Sequence, residues 1–505
     1  MKKPTAIIIG AGYGGMALAN ILGRAGYRVD VYEKNLAPGG RISTVEKEGF
    51  LFDLGPSWYL MPEIFEQYYQ LFEESANDSL KLLRFQPGYK VFFEKHPSLV
   101  IKGDVQADKN TFENIEKGAG KKLEKYVAKS SLAYNISTKY FLYNNHFRIR
   151  DLLRFSIIKN APRLIRLTMN NLDNYVKKYF HDLRLKQLLE YHMVFLGSSP
   201  FQAPAIYTLM SHLDYKTGVF YPKNGMLSLV SDMQRIGQQF DIEYHYGRPV
   251  DRIIVKDGAA SGVQLVDGKD IYADIVISNA DLEFTESQLL SEESQSFPAS
   301  YWEKRQPGPG AVLISLGIKG KLHNLLHHNL YFVENWRENF RDIYENKQIP
   351  DSASIYVCNP SKTDSSLAPE NHENIFILMP IPADVEVSDI ELDKITKKCI
   401  KILADITNVT NLSERIAVKH VFGPKDFKEK FNAWQFNAFG GESHVLSQSI
   451  RFRTPNKSHK VKNLYYVGAG TVPGIGLPMC LIGAQLTYKQ IISSKKPGPL
   501  KASDL

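Results

Sequence analysis

Thr5-Ala6-Ile7-Ile8-Ile9-Gly10-Ala11-Gly12-Tyr13-Gly14-Gly15 is an apolar, β-branched run that passes without interruption into a G-x-G-x-x-G turn. The run predicts a buried parallel strand. Beyond it, Met16, Leu18, Ile21 and Leu22 recur at helical spacing up to Gly26, a residue suited to a helix C-cap. A second strand is predicted over residues 27–32 and closes on Glu33. Strand, glycine turn, helix, strand and acid in this order predict a dinucleotide site. Gly10 permits the tight turn, Gly12 the approach of backbone to pyrophosphate, and Gly15 close packing of helix on strand; Ala11 and Gly14 complete the loop. The helix N-terminus offers N–H groups and positive potential. Glu33, eighteen residues after Gly15, stands where a carboxylate accepts hydrogen bonds from a ribose diol. That carboxylate repels a 2′-phosphate, which disfavours NADP; NAD and FAD share the half that fits.

Residues 34–41, KNLAPGGR, follow directly. Paired glycines, Gly39 and Gly40, bring backbone close to a ligand, and Arg41 can chelate phosphate through two parallel N–H bonds. With Lys34 they extend the site past Glu33. Carrying these residues, the chain resembles the flavoprotein amine-oxidase and carotenoid-desaturase superfamily, in which this glycine pair and arginine hold the FAD pyrophosphate. The resemblance implies FAD. It narrows at residues 49–62, GFLFDLGPSWYLMP, which are similar to the GF-x-FD-x-GP-x-W-x-x-MP stretch of bacterial phytoene desaturases. Gly55, Pro56 and Ser57 join the expected cofactor site through that match.

At 505 residues the chain is too long for one ordinary core, and two or three domains are expected. Hydrophobic content of 43% and charge of 23% are ordinary for a globular protein, and a net charge of +8 selects no partner by itself. Three widely spaced cysteines, Cys358, Cys399 and Cys480, predict neither disulfides nor a metal site and suit a reducing cytoplasm. Lys2 and Lys3 before an apolar stretch imitate a signal peptide, but the glycine motif accounts for that stretch. No apolar run reaches eighteen residues, so membrane contact is expected to be peripheral.

The predicted fold class is α/β: a discontinuous Rossmann-type FAD-binding domain, a mixed β-sheet substrate domain and a helical, membrane-facing insertion. The first domain takes residues 1–80, 218–300 and 440–493; the sheet takes 85–105 and 305–430; the insertion takes 110–215; and 494–505, rich in Lys, Pro and Gly, is expected to be a flexible tail. Strands are predicted over 89–94, 243–246, 249–255, 261–266, 272–278, 311–318, 354–357, 375–379 and 416–422, with a helix at 392–403. The meander around 249–266 and the strand ending in Asn279-Ala280-Asp281 resemble the superfamily's second FAD segment, where backbone at the Val250 position meets adenine. Residues 464–467 predict a strand opening into the glycine-rich turn 468–478, followed by a helix. The resemblance places Gly468, Ala469, Gly470, Gly476, Leu477 and Pro478 near the flavin. Relatives carry His where this chain has Val472, so no imidazole is expected there for acid–base work.

The resemblance spans nearly the whole chain and implies dehydrogenation of an acyclic carotenoid such as phytoene. A hydride leaves an allylic carbon for the flavin and a neighbouring carbon loses a proton, while the protein aligns the polyene and excludes water. Arg150-Asp151-Leu152-Leu153-Arg154 matches an R-D-x-x-R stretch of bacterial phytoene desaturases, which nominates Asp151, flanked by Arg150 and Arg154, to accept the proton or steady an allylic cation. The same spacing also describes an ordinary helix-surface pair. Residues 148–186 hold ten Lys or Arg against three Asp, interleaved with aliphatics, a pattern suited to a membrane interface. The expected location is the cytoplasmic face of the cell membrane, with oxygen or a membrane quinone as electron acceptor. Alternatives are a desaturase of hydroxylated or monocyclic carotenoids, an FAD oxidase of amines, and a non-enzymatic prenyl-binding relative. Nucleic-acid binding has no motif to support it.

Overall fold

The computed structural model describes residues 3–145, 155–449 and 452–505, with residues 155–159 described by their backbone alone. The strand Thr5–Ile9 is buried from Ala6 onward and occupies the centre of a five-stranded parallel sheet. Its neighbours are Ile275–Ser278 and Arg28–Glu33; Leu464–Tyr466 and Ile242–Tyr246 form the edges. Three distant chain segments therefore meet in one layer. Burial of a parallel sheet on both faces explains why Thr5–Ile9 and Ile275–Ser278 read as continuous apolar runs rather than alternating ones. The helix Tyr13–Arg24 packs on this sheet beside Leu477–Ile491 and Ser228–Gly237.

The predicted strand 272–278 is two strands. Asp270–Tyr272 closes the antiparallel meander with Val250–Lys256 and Ala259–Leu265, whereas Ile275–Ser278 belongs to the parallel sheet. Asp274 makes the break: its carboxylate accepts from the Thr5 backbone N–H at 2.7 Å and the Thr5 hydroxyl at 2.8 Å, anchoring the crossing between sheets.

The second sheet is mixed and seven-stranded, in the order Ile416–Phe422, Gly310–Lys319, His372–Ile381, Ile355–Cys358, His328–Phe332, Tyr89–Phe93, Leu99–Ile101. Two of these, His328–Phe332 and Leu99–Ile101, escape the sequence reading. His328 and Asn329 disguise the first as polar, although both are fully buried. Helices from residues 105–217 pack on one face of this sheet, and the capped helix Asp389–Thr407 covers the other. Among the described residues no helix is long and apolar enough to cross a membrane.

The tail contradicts its expected flexibility. Leu500 is buried, its N–H donates to Gln485 Oε1 at 2.9 Å, and its carbonyl accepts from Gln67 Nε2 at 2.9 Å. Lys489 Nζ donates to the Gly498 carbonyl, and Lys496 pairs with Asp504 at 2.7 Å. One apolar anchor and a set of buried polar groups that need partners outweigh the polar composition.

Candidate active site

The first glycine turn is the meeting point of three segments. Gly10 has φ +93°, and Gly12 immediately precedes the helix Tyr13–Arg24, whose first turn carries no acid. A Cβ on Gly12 would lie 2.7 Å from Asn279 Nδ2, one on Gly14 3.1 Å from Gly468 Cα, and one on Gly15 2.5 Å from the Gly10 carbonyl. Absent side chains are what let the turn, Asn279 and Gly468 converge. The KNLAPGGR turn folds back onto the same point: Gly39 N–H donates to the Ala11 carbonyl at 2.8 Å, and a Cβ on Gly40 would sit 3.1 Å from Gly12 Cα. The result is a backbone-lined cradle at a helix N-terminus, which fits a pyrophosphate.

Glu33 is buried; its Oε2 accepts from Ala11 N–H at 2.8 Å and its Oε1 from Asn35 N–H at 2.9 Å. It lines the cavity beside Val250, where a ribose and adenine would lie. Ala11 and Gly15 do not line it and serve the site by shaping the turn. Arg41 departs from the sequence expectation of bidentate phosphate binding. Its Nε donates to the Ala438 carbonyl at 2.9 Å and its Nη2 to the Asn437 carbonyl at 3.1 Å, with Phe431 beneath the guanidinium. Arg41 thus fastens residues 437–438 over the cradle. Lys34 is likewise engaged, 2.6 Å from the Glu429 carbonyl. Asp281 caps the helix Leu282–Gln288, and burial pushes its carboxyl up to about 6 against the opposing pull of Arg41.

The cavity itself measures about 1520 Å³, beyond the roughly 300–1,000 Å³ of a single small-molecule site. One arm runs from Glu33 past Gly12, Gly55, Pro56, Ser57, Asn279 and Ala280 to Gly468, Ala469, Gly470 and the turn Gly476-Leu477-Pro478. The second arm is apolar, walled by Leu209, Met210 and Leu213 from the helical layer and by Trp58, Leu313, Tyr356 and Leu378 on the sheet side. Ala161, Leu164, Ile165 and Met169 of the helix Phe155–Met169 also line it. Ile165 is 62% exposed and Met169 73%, so this helix stands at the mouth.

Arg150, Asp151 and Arg154 fall outside the described residues. The expectation of no imidazole near the second glycine turn is overturned. A Cβ on Gly474 would lie 2.9 Å from His444 Nε2 and 3.4 Å from the Arg453 guanidinium, and all these side chains border the cavity. The Leu196 carbonyl accepts from His444 Nδ1 at 2.6 Å. Nothing in residues 440–453 signals this role, because its cause is a fold contact with the turn 468–476. Cys358 also has unforeseen neighbours: its ligand atom and those of His327 and His328 lie within 4.8 Å of one another. His328 of this buried group stacks on the ring of Trp58, and the two imidazoles direct Nδ1 to the hydroxyls of Thr363 and Tyr356.

The family model for flavin-containing amine oxidoreductases matches residues 13–487. The chain is 35% identical over 486 residues to a carotenoid 3,4-desaturase of Haloarcula japonica, covering 96% of this chain and 97% of that protein. It is 31% identical to a zeta-carotene-forming phytoene desaturase of Myxococcus xanthus, covering 96% and 93% respectively. Among solved structures, an oxidoreductase from Methanosarcina mazei superposes with a TM-score of 0.63 at 16% identity, covering 97% of this chain and all of that one, a likeness of fold.

Proposed function

The chain belongs to the carotenoid desaturases of the flavin-containing amine oxidoreductase family, and from that premise we propose that it introduces conjugated double bonds into an acyclic C40 carotenoid, phytoene first. The protein is an FAD-dependent oxidoreductase. The observation that carries the finer reading is the joining of a dinucleotide cradle to a long apolar arm in one cavity. The glycine turn and the N-terminus of Tyr13–Arg24 would hold the pyrophosphate, Glu33 the ribose and Val250 the adenine. The turn 468–478, with the N-terminus of Leu477–Ile491, would hold the flavin half. Bound there, FAD supplies a two-electron acceptor for hydride. The chain's own part is to lay the polyene along the apolar arm, exclude water with residues such as Leu209 and Leu378, and take up the proton.

A second reading draws on the Haloarcula relative: the substrate is a later, hydroxylated or monocyclic carotenoid desaturated at its remaining acyclic end. Expression in cells making phytoene, and separately in cells making lycopene or hydroxylated carotenes, distinguishes the two. New double bonds appear as red-shifted, finely structured absorption bands in the extracts. Conversion of phytoene is the expected result; conversion only of later pigments moves the enzyme downstream. No change in any pigment, with amine oxidation by the yellow protein, removes the carotenoid assignment.

We also propose that the enzyme docks on the inner face of the cell membrane, with oxygen or a quinone as acceptor. A C40 hydrocarbon must be drawn from a bilayer. The mouth helix presents Ile165 and Met169 to solvent, in the same helix as Arg163 and Arg166, an arrangement suited to an anionic interface. Changing Lys159, Arg163 and Arg166 together to Glu should weaken flotation with anionic liposomes several-fold. Undiminished flotation would refute this docking face.

A further inference from the structure

Two buried side chains border the cavity beside the second glycine turn. His444 is 5% exposed and Arg453 3%. The Leu196 carbonyl only accepts hydrogen bonds, so the short contact from His444 Nδ1 fixes the proton on that nitrogen and leaves the lone pair on Nε2. Nε2 is the atom adjacent to Gly474, whose φ of +137° keeps the position glycine. Burial, and Arg453 nearby, hold His444 neutral, well below the usual histidine range. Among the described residues, its surroundings include the edge of the Tyr207 ring at 5.3 Å and, beyond Arg453, the half-satisfied carboxylate of Glu442.

Arg453 supplies the second observation. Its Nη2 donates to the Glu442 carbonyl at 3.0 Å, but Nε and Nη1, both buried, have no hydrogen-bond partner among the described residues. Leaving charged donors unpaired in the interior costs far more than pairing them, so this guanidinium is built for an electron-rich group brought by a ligand. The dinucleotide's direction identifies the group. With ribose at Glu33 and phosphates at Gly12, the redox half must extend toward Gly468 and the turn that His444 and Arg453 border.

We propose that His444 and Arg453 form a catalytic pair, with His444 Nε2 accepting the substrate proton and Arg453 facing the negative charge that the flavin gains. This rests on the desaturase reading. FAD held by the glycine turns would supply the oxidant, to which one allylic hydrogen would leave with the electron pair of its C–H bond as hydride. The neighbouring C–H bond gives its proton to Nε2, and its electron pair becomes the new C=C bond. Two electrons and one proton reach the flavin, one proton reaches the imidazole, and nothing is left over. A weakly basic imidazole suffices, because a C–H bond beside a developing allylic cation is strongly acidic.

The test mixes FAD-loaded protein anaerobically with liposomes carrying the carotenoid that cells convert, and follows bleaching of the flavin band. His444→Asn retains an amide N–H in the place of Nδ1 for the Leu196 carbonyl but no base at Nε2. It should bleach at least ~100-fold more slowly at saturating carotenoid, with half-saturating concentration, FAD content and melting temperature unchanged. Arg453→Met, measured by equilibrium dye titration without substrate, should shift the flavin's two-electron potential to more negative values. Bleaching by His444→Asn as fast as by the wild type overturns the proton assignment alone, most clearly if Asp151→Asn is the slow variant. An unaltered potential in Arg453→Met overturns the role of the cation. If no carotenoid bleaches the wild type, the pair falls together with the desaturase reading.

Discussion

Gly12→Val is expected to purify colourless. The first added carbon would meet Asn279 Nδ2 at 2.7 Å, and Asn279 is itself fixed by a hydrogen bond from Nδ2 to the Gly10 carbonyl at 3.2 Å. Two further methyl groups have only the phosphate cradle to enter. Gly39 and Gly40 are stitched to residues 11 and 12, so the cradle cannot widen on that side without breaking the Gly39–Ala11 hydrogen bond. FAD affinity should fall at least 100-fold. A protein that keeps its fold but loses a ligand held at 100 times its Kd forfeits about 2.7 kcal/mol of linked stability. Added FAD should therefore raise the melting temperature of the wild type and leave that of the variant unmoved. Gly26→Ala is the control. It also carries positive φ, +88°, but a Cβ there meets nothing within 4 Å among the described residues. It should cost about 1 kcal/mol of backbone strain and no cofactor. A yellow, fully loaded Gly12→Val would mean that the cradle is not the pyrophosphate site.

The residues that can be read from sequence are those whose task is discharged locally. Strand, glycine turn, helix and Glu33 lie within thirty positions, and each is dictated by backbone geometry that a few neighbours settle. The same holds for the turn 468–478. What sequence does not disclose is closed over long separations. Arg41 reads as a phosphate ligand because its neighbours are glycines, yet its hydrogen bonds go to residues 396 and 397 positions away. His444 and Arg453 sit in a stretch with no periodicity or motif, and only the return of residues 468–476 gives them a site. The strand His328–Phe332 fails to read as apolar because buried imidazole and amide groups satisfy themselves on Tyr356 and the Leu326 and Val357 carbonyls. In each case tertiary partners override the local pattern.

Trp58→Ala should change what the enzyme makes. Trp58 follows the Gly55-Pro56-Ser57 turn, so one side of the residue is tied to the cofactor arm while its indole forms part of the sheet-side wall of the apolar arm. The ring stacks on His328 at 4.5 Å and packs against Phe195 at 5.2 Å, Tyr89 at 5.6 Å and Tyr356 at 6.1 Å. Removing a side chain of this size from such a cluster costs about 3–5 kcal/mol when the void stays empty. Here the void opens into an existing cavity, so the arm lengthens. The number of desaturation steps depends on how far the polyene can slide past the hydride acceptor before its leading end meets a wall. With the indole gone, the substrate should advance further, and extracts should shift toward more conjugated, red-shifted products despite a lower melting temperature. Trp58→Phe keeps an aromatic stop, and its products should stay close to those of the wild type. An unchanged product pattern in folded, FAD-loaded Trp58→Ala would show that the chain end does not reach this wall. The stop would then lie elsewhere along the arm, with Leu313 and Leu378, on neighbouring strands of the same sheet, as the next surfaces to open.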